Sequence, residues 1–352
     1  MRSITIVGSG AIGSLMGAYM VQSGLDVTLV GQWSSHVEAL KHNGLTVEGS
    51  RGTFSVKPTT IHISELDQLS SPLQTVLVAV KSNQTTEVAR TILPYLAEDA
   101  CVVSVQNGFN EDRLSDVIGR ERVLGAIITV SAELLIPGKV IEHTGLGQAL
   151  LRNNTALTVG EIDGSISNRL SELAESLKPV GEIRITKELF KERWGKTITN
   201  CMGNVSEAIT GLNSWDTRRN PLIQRLMIHL GSEATQVALA LNNCPDKVAG
   251  GLDPSILARA TTHKESYNLA KDALTAGTTS LPEYPAISSM LQDILRGRVT
   301  EIDYLNGLVA NKAKEFGIPT PVNNDVIRLI KTMETGQIAP DPENVHLIKS
   351  IA

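Results

Sequence analysis

The 352-residue chain has no run of the roughly 18 apolar residues that a membrane-spanning helix needs, so no membrane association is expected. It has no basic excess either. Its 32 Lys and Arg against 37 Asp and Glu leave a formal charge of −5, which argues against nucleic acid or a membrane surface as partner and requires that any anionic ligand find a local site. The three cysteines, Cys101, Cys201 and Cys244, are odd in number, far apart and outside any metal-ligand spacing. They point to a reduced, cytoplasmic compartment and to no metal centre. The apolar start imitates a secretion signal, but Arg2 is the only basic residue ahead of it and Gly8, Gly10, Gly13 and Gly17 interrupt it. Internal repeats, low-complexity tracts and long linkers are absent as well. What remains is the composition of a soluble globular protein, 41% hydrophobic and 20% charged, in a chain long enough to expect two domains.

The first half reads as α/β. Residues 4–7 are a buried strand, Gly8-Ser9-Gly10-Ala11-Ile12-Gly13 a glycine-rich turn, the following apolar stretch a helix to about Ser23, and 26–30 a second strand. In that context each glycine has a task. Gly8 permits the tight turn, Gly10 lets the backbone approach a pyrophosphate, and Gly13 lets the helix pack closely, while the helix N-terminus offers N–H groups to phosphate. The second strand ends in Gly31-Gln32-Trp33-Ser34-Ser35-His36, without the acid of an NAD site or the arginine of an NADP site. Gln32 and the two serines can hydrogen-bond a 2′-phosphate, which favours NADP and leaves NAD open. Strands follow at 45–48, 53–56, 75–80 and 101–105; the last two are near-continuous apolar runs of the kind buried in a parallel sheet. They end in Lys81-Ser82 and Gln106-Asn107-Gly108, and ligands of open α/β sheets bind off the carboxyl ends of strands. Residues 125–130, 139–143 and 156–160 look like antiparallel additions to the sheet, with His143 a strand histidine rather than a catalytic one. A helix over 165–177 and a strand over 183–186 complete a Rossmann-type domain spanning 1–187.

From 188 to 352 the pattern is all helical, with segments over about 188–212, 220–243, 253–276, 286–295, 300–316 and 322–334. A sheet domain followed by a helical one predicts a cleft between them for a small ligand. Within the first helix Lys196, Asn200 and Asn204 stand four residues apart, drifting only about 40° per step around the axis, so they form one polar stripe. Trp194, Ile198, Cys201, Met202 and Val205 flank it and should be buried. Ser288 and Ser289 fall where a later helix would begin, a place suited to capping or to holding a carboxylate. Glu301 falls in the first turn of the helix after that.

Taken together these motifs resemble the ketopantoate reductases (2-dehydropantoate 2-reductases). The matching stretches are the glycine turn, Lys81, Gln106-Asn107-Gly108, Trp194-x-Lys196-x3-Asn200-Cys201-x2-Asn204, Ser288-Ser289-Met290-Leu291-Gln292-Asp293 and Thr300-Glu301-Ile302-Asp303-Tyr304-x-Asn306-Gly307. The resemblance implies reduction of a 2-oxo acid, foremost ketopantoate to (R)-pantoate in pantothenate biosynthesis, with hydride from NADPH and a proton from Lys196. It further implies that Asn200 and Asn204 position the substrate, that Ser289 holds its carboxylate, and that Glu301 works beside the lysine and the cofactor. Lys81 and Asn107 would approach the cofactor, Asn107 also the substrate, and the helical domain would form a homodimer. Three features depart from the family: no arginine after the second strand, Ala286 where some members carry an asparagine for the substrate's 4-hydroxyl, and a longer segment between Asn204 and Ser289. They keep open a D-2-hydroxyacid dehydrogenase of the same superfamily working on another 2-oxo acid, with NAD as an option. A non-catalytic dinucleotide sensor would need the glycine turn but not the lysine, amide, serine and glutamate set.

Overall fold

The computed structural model describes residues 3–49, 51–143, 155–276, 278 and 286–351. The chain divides into two units, Met1–Leu189 and Phe190–Ala352.

The first unit runs β1 (Ile4–Val7), α1 (Ala11–Gln22), β2 (Val27–Gly31), α2 (Ser34–Asn43), β3 (Leu45–Gly49), β4 (Phe54–Val56), β5 (Thr59–His62), β6 (Leu73–Val78), α3 (Thr85–Ile92), β7 (Leu96–Ser104), α4 (Glu111–Ile118), β8 (Val123–Ile128), β9 (Ala132–Ile136), β10 (Lys139–Glu142), β11 (Thr155–Glu161), α5 (Asn168–Leu177) and β12 (Glu182–Ile185). Eight strands form the main sheet in the order β12-β11-β8-β7-β6-β1-β2-β5. Every neighbouring pair in it is parallel except β11 with β8. The apolar runs behave as a sheet covered on both faces demands: all of β1 and β8 and the last four residues of β6 are buried.

Strand pairing differs from the sequence-based expectation in three places. β8 is antiparallel to β11 but parallel to β7, so β11–β8 is the one antiparallel pair of the main sheet, and β10, the third stretch expected to be an antiparallel addition to it, is antiparallel to β9 instead. Strands β3, β4 and β10 leave the main sheet and join β9 in a second, four-stranded sheet of order β4-β3-β10-β9. The vacated place beside β2 is taken by β5. Helix α1 touches strands of both sheets, which is why its sequence is apolar nearly all round. An ionic cluster, buried at Glu142 and Tyr19 and exposed at Arg51, ties the small sheet to it: Arg51 pairs with Glu142 at 2.6 Å and lies 3.7 Å over the Tyr19 ring, while the Tyr19 hydroxyl donates to Glu142 at 2.7 Å. Burial, reinforced by that carboxylate, holds the Tyr19 hydroxyl well above its ordinary pKa.

In the second unit the described residues form helices without a strand ladder: α6 (Leu189–Thr210), α7 (Ser214–Arg219), α8 (Pro221–Ala240), α9 (Pro254–Arg259), α10 (Lys264–Thr275), α11 (Ser289–Leu295), α12 (Asn306–Glu315) and α13 (Pro321–Glu334). Asn220 and Asp253 cap α8 and α9 through their side chains, and proline follows each as the first helical residue. The segment read as one helix over 253–276 is two, α9 and α10. The segment read as a helix from 300 starts at Asn306, because 302–304 forms a separate 3₁₀ turn. Helices α6 and α8 approach closely at Gly231, where an added Cβ would sit 2.5 Å from Met202 Sδ. Among the described residues no helix is long and apolar enough to cross a membrane.

Candidate functional site

In the first unit, the order β7-β6-β1-β2 reverses direction between β1 and β6, the switch point at which open α/β sheets bind ligands. The glycine turn follows β1 there. Gly8 has φ +111°, and a Cβ on it would come within 2.7 Å of the backbone between Ala79 and Val80. Gly13 is tighter still, its hypothetical Cβ lying 2.0 Å from the Gly8 carbonyl oxygen. Gly10 is the opposite case, exposed and with nothing within 4 Å of a Cβ. It precedes the first turn of α1, where Ala11 and Ile12 lie. Two glycines thus close the turn, and the third leaves open the space that a pyrophosphate at a helix N-terminus requires.

A buried relay behind the turn escaped the sequence reading. The Gly138 N–H donates to His36 Nδ1 at 3.0 Å, so Nε2 carries the ring proton and donates to Ser14 Oγ at 3.1 Å; Ser14 in turn donates to the Ser9 carbonyl at 3.0 Å. Burial lowers the His36 pKa to about 4, which keeps the ring neutral. The relay joins the β9–β10 turn to the backbone of Ser9, and no local pattern in the sequence marks it.

The remaining first-unit candidates lie at carboxyl ends of neighbouring strands. Lys81 and Asn107, both half-buried, stand in loops after β6 and β7 that are stitched together. Asn110 Nδ2 donates to the Asn107 carbonyl at 2.8 Å, Ser82 Oγ donates to the same oxygen at 3.1 Å, and Gln106 Nε2 donates to the Val80 carbonyl at 2.9 Å. Gln32 follows β2, exposed, its Oε1 accepting from Gln84 Nε2 at 2.9 Å. These residues fit a dinucleotide. His143 sits just beyond β10 and turns its Nε2 to Glu133 at 3.2 Å, while its Nδ1 is buried with no hydrogen-bond partner among the described residues, so the ring is only half satisfied.

In the second unit the stripe lies on α6. Asn200 is buried, Lys196 and Asn204 are half-buried, and Trp194, Ile198, Cys201, Met202 and Val205 are all buried as expected. Ser288 caps α11, its Oγ accepting from the Leu291 N–H and donating to the Asn204 carbonyl at 3.2 Å, and Ser289 is the first helical residue. The Ser288 N–H donates to Glu207 at 2.6 Å. Burial raises the Glu207 carboxyl to about 8 against the opposing pull of that N–H and of Arg218. Glu301, buried, precedes the 302–304 turn rather than opening a helix. Its segment is anchored by Asn306, whose Nδ2 donates to the Cys201 carbonyl at 3.3 Å and to Asn323 Oδ1 at 2.9 Å. Asn323 is held in turn by Glu233 on α8, which accepts from its side chain at 2.7 Å and from the Val322 and Asn323 N–H groups at 2.9 Å. Asn200, Asn204, Ser289 and Glu301 therefore belong to segments fastened to α6 or part of it.

Known proteins resemble the chain over most of its length. Residues 4–154 match the family Ketopantoate reductase PanE/ApbA, and residues 188–334 match its C-terminal family. The 2-dehydropantoate 2-reductase of Pyrococcus horikoshii is 28% identical over 337 residues, covering 94% of this chain and 97% of the relative. The solved PanE/ApbA family ketopantoate reductase from Ralstonia eutropha superposes with a TM-score of 0.76 at 26% identity, covering 96% of this chain and 99% of that one. A D-mandelate dehydrogenase solved with NADH and anilino(oxo)acetate shares the fold, with a TM-score of 0.77, at 20% identity and coverage of 96% and 99%. On these grounds the chain belongs to the ketopantoate reductase family of oxidoreductases.

Proposed function

We propose that this protein reduces a 2-oxo acid to the 2-hydroxy acid with NADPH, ketopantoate to (R)-pantoate being the leading reaction. The observation that carries the reading is the α6 face, on which a half-buried lysine stands in line with two asparagines, one of them tied at its carbonyl to the Ser288–Ser289 turn. When bound, the reduced nicotinamide nucleotide supplies hydride. The Gly8–Gly13 turn and the N-terminus of α1 would hold its pyrophosphate, Lys81 and Asn107 would border it, and the Gln32 amide would hydrogen-bond the 2′-phosphate. Asn200 and Asn204 orient the substrate, and the Ser289 hydroxyl holds its carboxylate. As negative charge grows on the carbonyl oxygen, the Lys196 ammonium stabilises it and delivers a proton from Nζ. Glu301 keeps that ammonium charged and in place. By the same resemblance the protein works in the cytoplasm as a homodimer.

A second reading keeps the chemistry and changes the substrate. Ala286 and the uncharged Gln32 suit a D-2-hydroxyacid dehydrogenase for a different 2-oxo acid, with NAD. Mixing purified protein with NADPH or NADH and a panel of 2-oxo acids, and following loss of reduced-cofactor absorbance, separates the two. Ketopantoate turned over faster with NADPH than any other pair is the expected result, and cofactor binding without turnover of any acid would sink both readings in favour of a sensor. Lys196→Ala should slow turnover at least ~100-fold, the low end for loss of a general acid. Near-normal rates in that variant would remove Lys196 from the mechanism.

A further inference from the structure

The helix face bearing Lys196, Asn200 and Asn204 continues past Asn204. Eleven residues advance an α-helix by about 1,100°, roughly 20° beyond three full turns, so Glu207 lies between Lys196 and Asn200 in azimuth, about one turn beyond Asn204. It is 5% exposed, and its Oε2 accepts the Ser288 N–H at 2.6 Å. Ser288 also donates through Oγ to the Asn204 carbonyl at 3.2 Å. The turn that presents Ser289 is thus clamped to α6 at two points, and one of them is a side chain.

A carboxyl is a costly choice for this task. An uncharged amide would accept the same N–H without the penalty of burying an ionisable group. Burial raises its pKa to about 8 against the pull of Arg218 and of the Ser288 N–H, so the site favours the uncharged form, which does not repel an anion bound beside it. We propose that Glu207 is a positioning residue for the substrate carboxylate: by holding the Ser288 N–H it fixes the Ser288–Ser289 turn at the end of the Lys196 face. This rests on the reading of the chain as a 2-oxo acid reductase with Ser289 as the carboxylate holder.

Steady-state kinetics on the full-length enzyme test it, with the 2-oxo acid that the wild type reduces best. Glu207→Ala should raise KM for that acid at least ~10-fold, about the loss of one good hydrogen bond, while kcat and the KM for reduced cofactor change less than ~3-fold. Glu207→Asp withdraws the acceptor by one methylene and should behave like the alanine variant, which keeps the test open if the alanine variant does not fold. Glu207→Gln retains an acceptor oxygen and should restore KM to near the wild-type value. An unchanged KM in the alanine and aspartate variants would overturn the proposal, as would a glutamine variant no better than alanine. Parallel losses in kcat and in both KM values would assign Glu207 a general structural role and overturn it too. If the wild type itself reduces no 2-oxo acid, the functional reading fails, and this outcome is recognised without any variant.

Discussion

A Cβ at Gly13 would lie 2.0 Å from the Gly8 carbonyl oxygen, whereas one at Gly10 would meet nothing within 4 Å. The obstacle at Gly13 is backbone, so no rotamer change relieves it. The helix-propensity gain of about 1 kcal/mol for alanine over glycine is outweighed by overpacking of about 1–3 kcal/mol and by distortion of the turn. Gly13→Ala should therefore lower the thermal midpoint and abolish nucleotide binding together. Gly10 already has φ −72°, which alanine adopts freely, so Gly10→Ala should leave the midpoint almost unchanged while weakening NADPH binding at least ~10-fold, because the methyl group takes the space left for phosphate. Fluorescence titration beside thermal unfolding separates the two effects, and a Gly10→Ala protein that binds NADPH like the wild type would mean that the pyrophosphate does not pass there. The turn-forming role of Gly8 and the packing role of Gly13 are legible in the sequence because the two act within six residues of each other. That of Glu207 is not, since its partner Ser288 comes from 81 positions away.

Between elements the same distinction holds. Alternation marks 45–48 and 139–143 as strands, but periodicity says nothing about pairing. Leu45–Gly49 finds its neighbour in Lys139–Glu142, more than ninety positions later, and the second sheet stayed invisible for that reason. The asparagine of the 300–307 motif was read as part of a helix opening, whereas its side chain links α12 to α6 and α13. Asn306→Leu would leave the Cys201 carbonyl and Asn323 Oδ1 without this donor. The Cys201 carbonyl keeps its intrahelical N–H partner within α6, so Asn323 Oδ1 is the acceptor left orphaned, and an orphaned buried acceptor costs about 1–3 kcal/mol. Urea denaturation should show a loss of that size. Turnover should fall as well, because Asn306 fixes the segment that carries Glu301. A stable but inactive Asn306→Leu enzyme would separate these two roles; an active and fully stable one would refute both.

On the scale of the whole molecule, the two units carry buried titratable groups of opposite tendency. His36 in the first unit is held at about 4 against an ordinary 6.5, so folding favours its neutral form. Its contribution to stability is complete above pH 6.5 and is lost as pH falls from 6.5 towards 4. Glu207 in the helical unit is raised to about 8 from 4.5, so folding favours its protonated form. That contribution is complete below pH 4.5, is lost as pH rises from 4.5 to 8, and is constant above. Glu233, also raised by burial, adds in the same direction. His36 thus makes the first unit sensitive to acid, whereas in the helical unit His229, lowered by burial, acts in that direction and Glu207 and Glu233 act against it, adding a loss towards alkali. Other groups titrate over the same range, so absolute stability curves do not isolate either residue, but the difference between wild type and Glu207→Gln does. Glutamine keeps the Ser288 acceptor and has no proton to lose. Its stability relative to the wild type should therefore grow between pH 4.5 and 8, by no more than about 1.4 kcal/mol per pH unit for a single proton, and level off above pH 8. Denaturant titrations of the two proteins across that range measure the difference directly. A difference independent of pH would mean that Glu207 titrates alike in the folded and unfolded chains, and that the charge on this end of the α6 face is present at neutral pH.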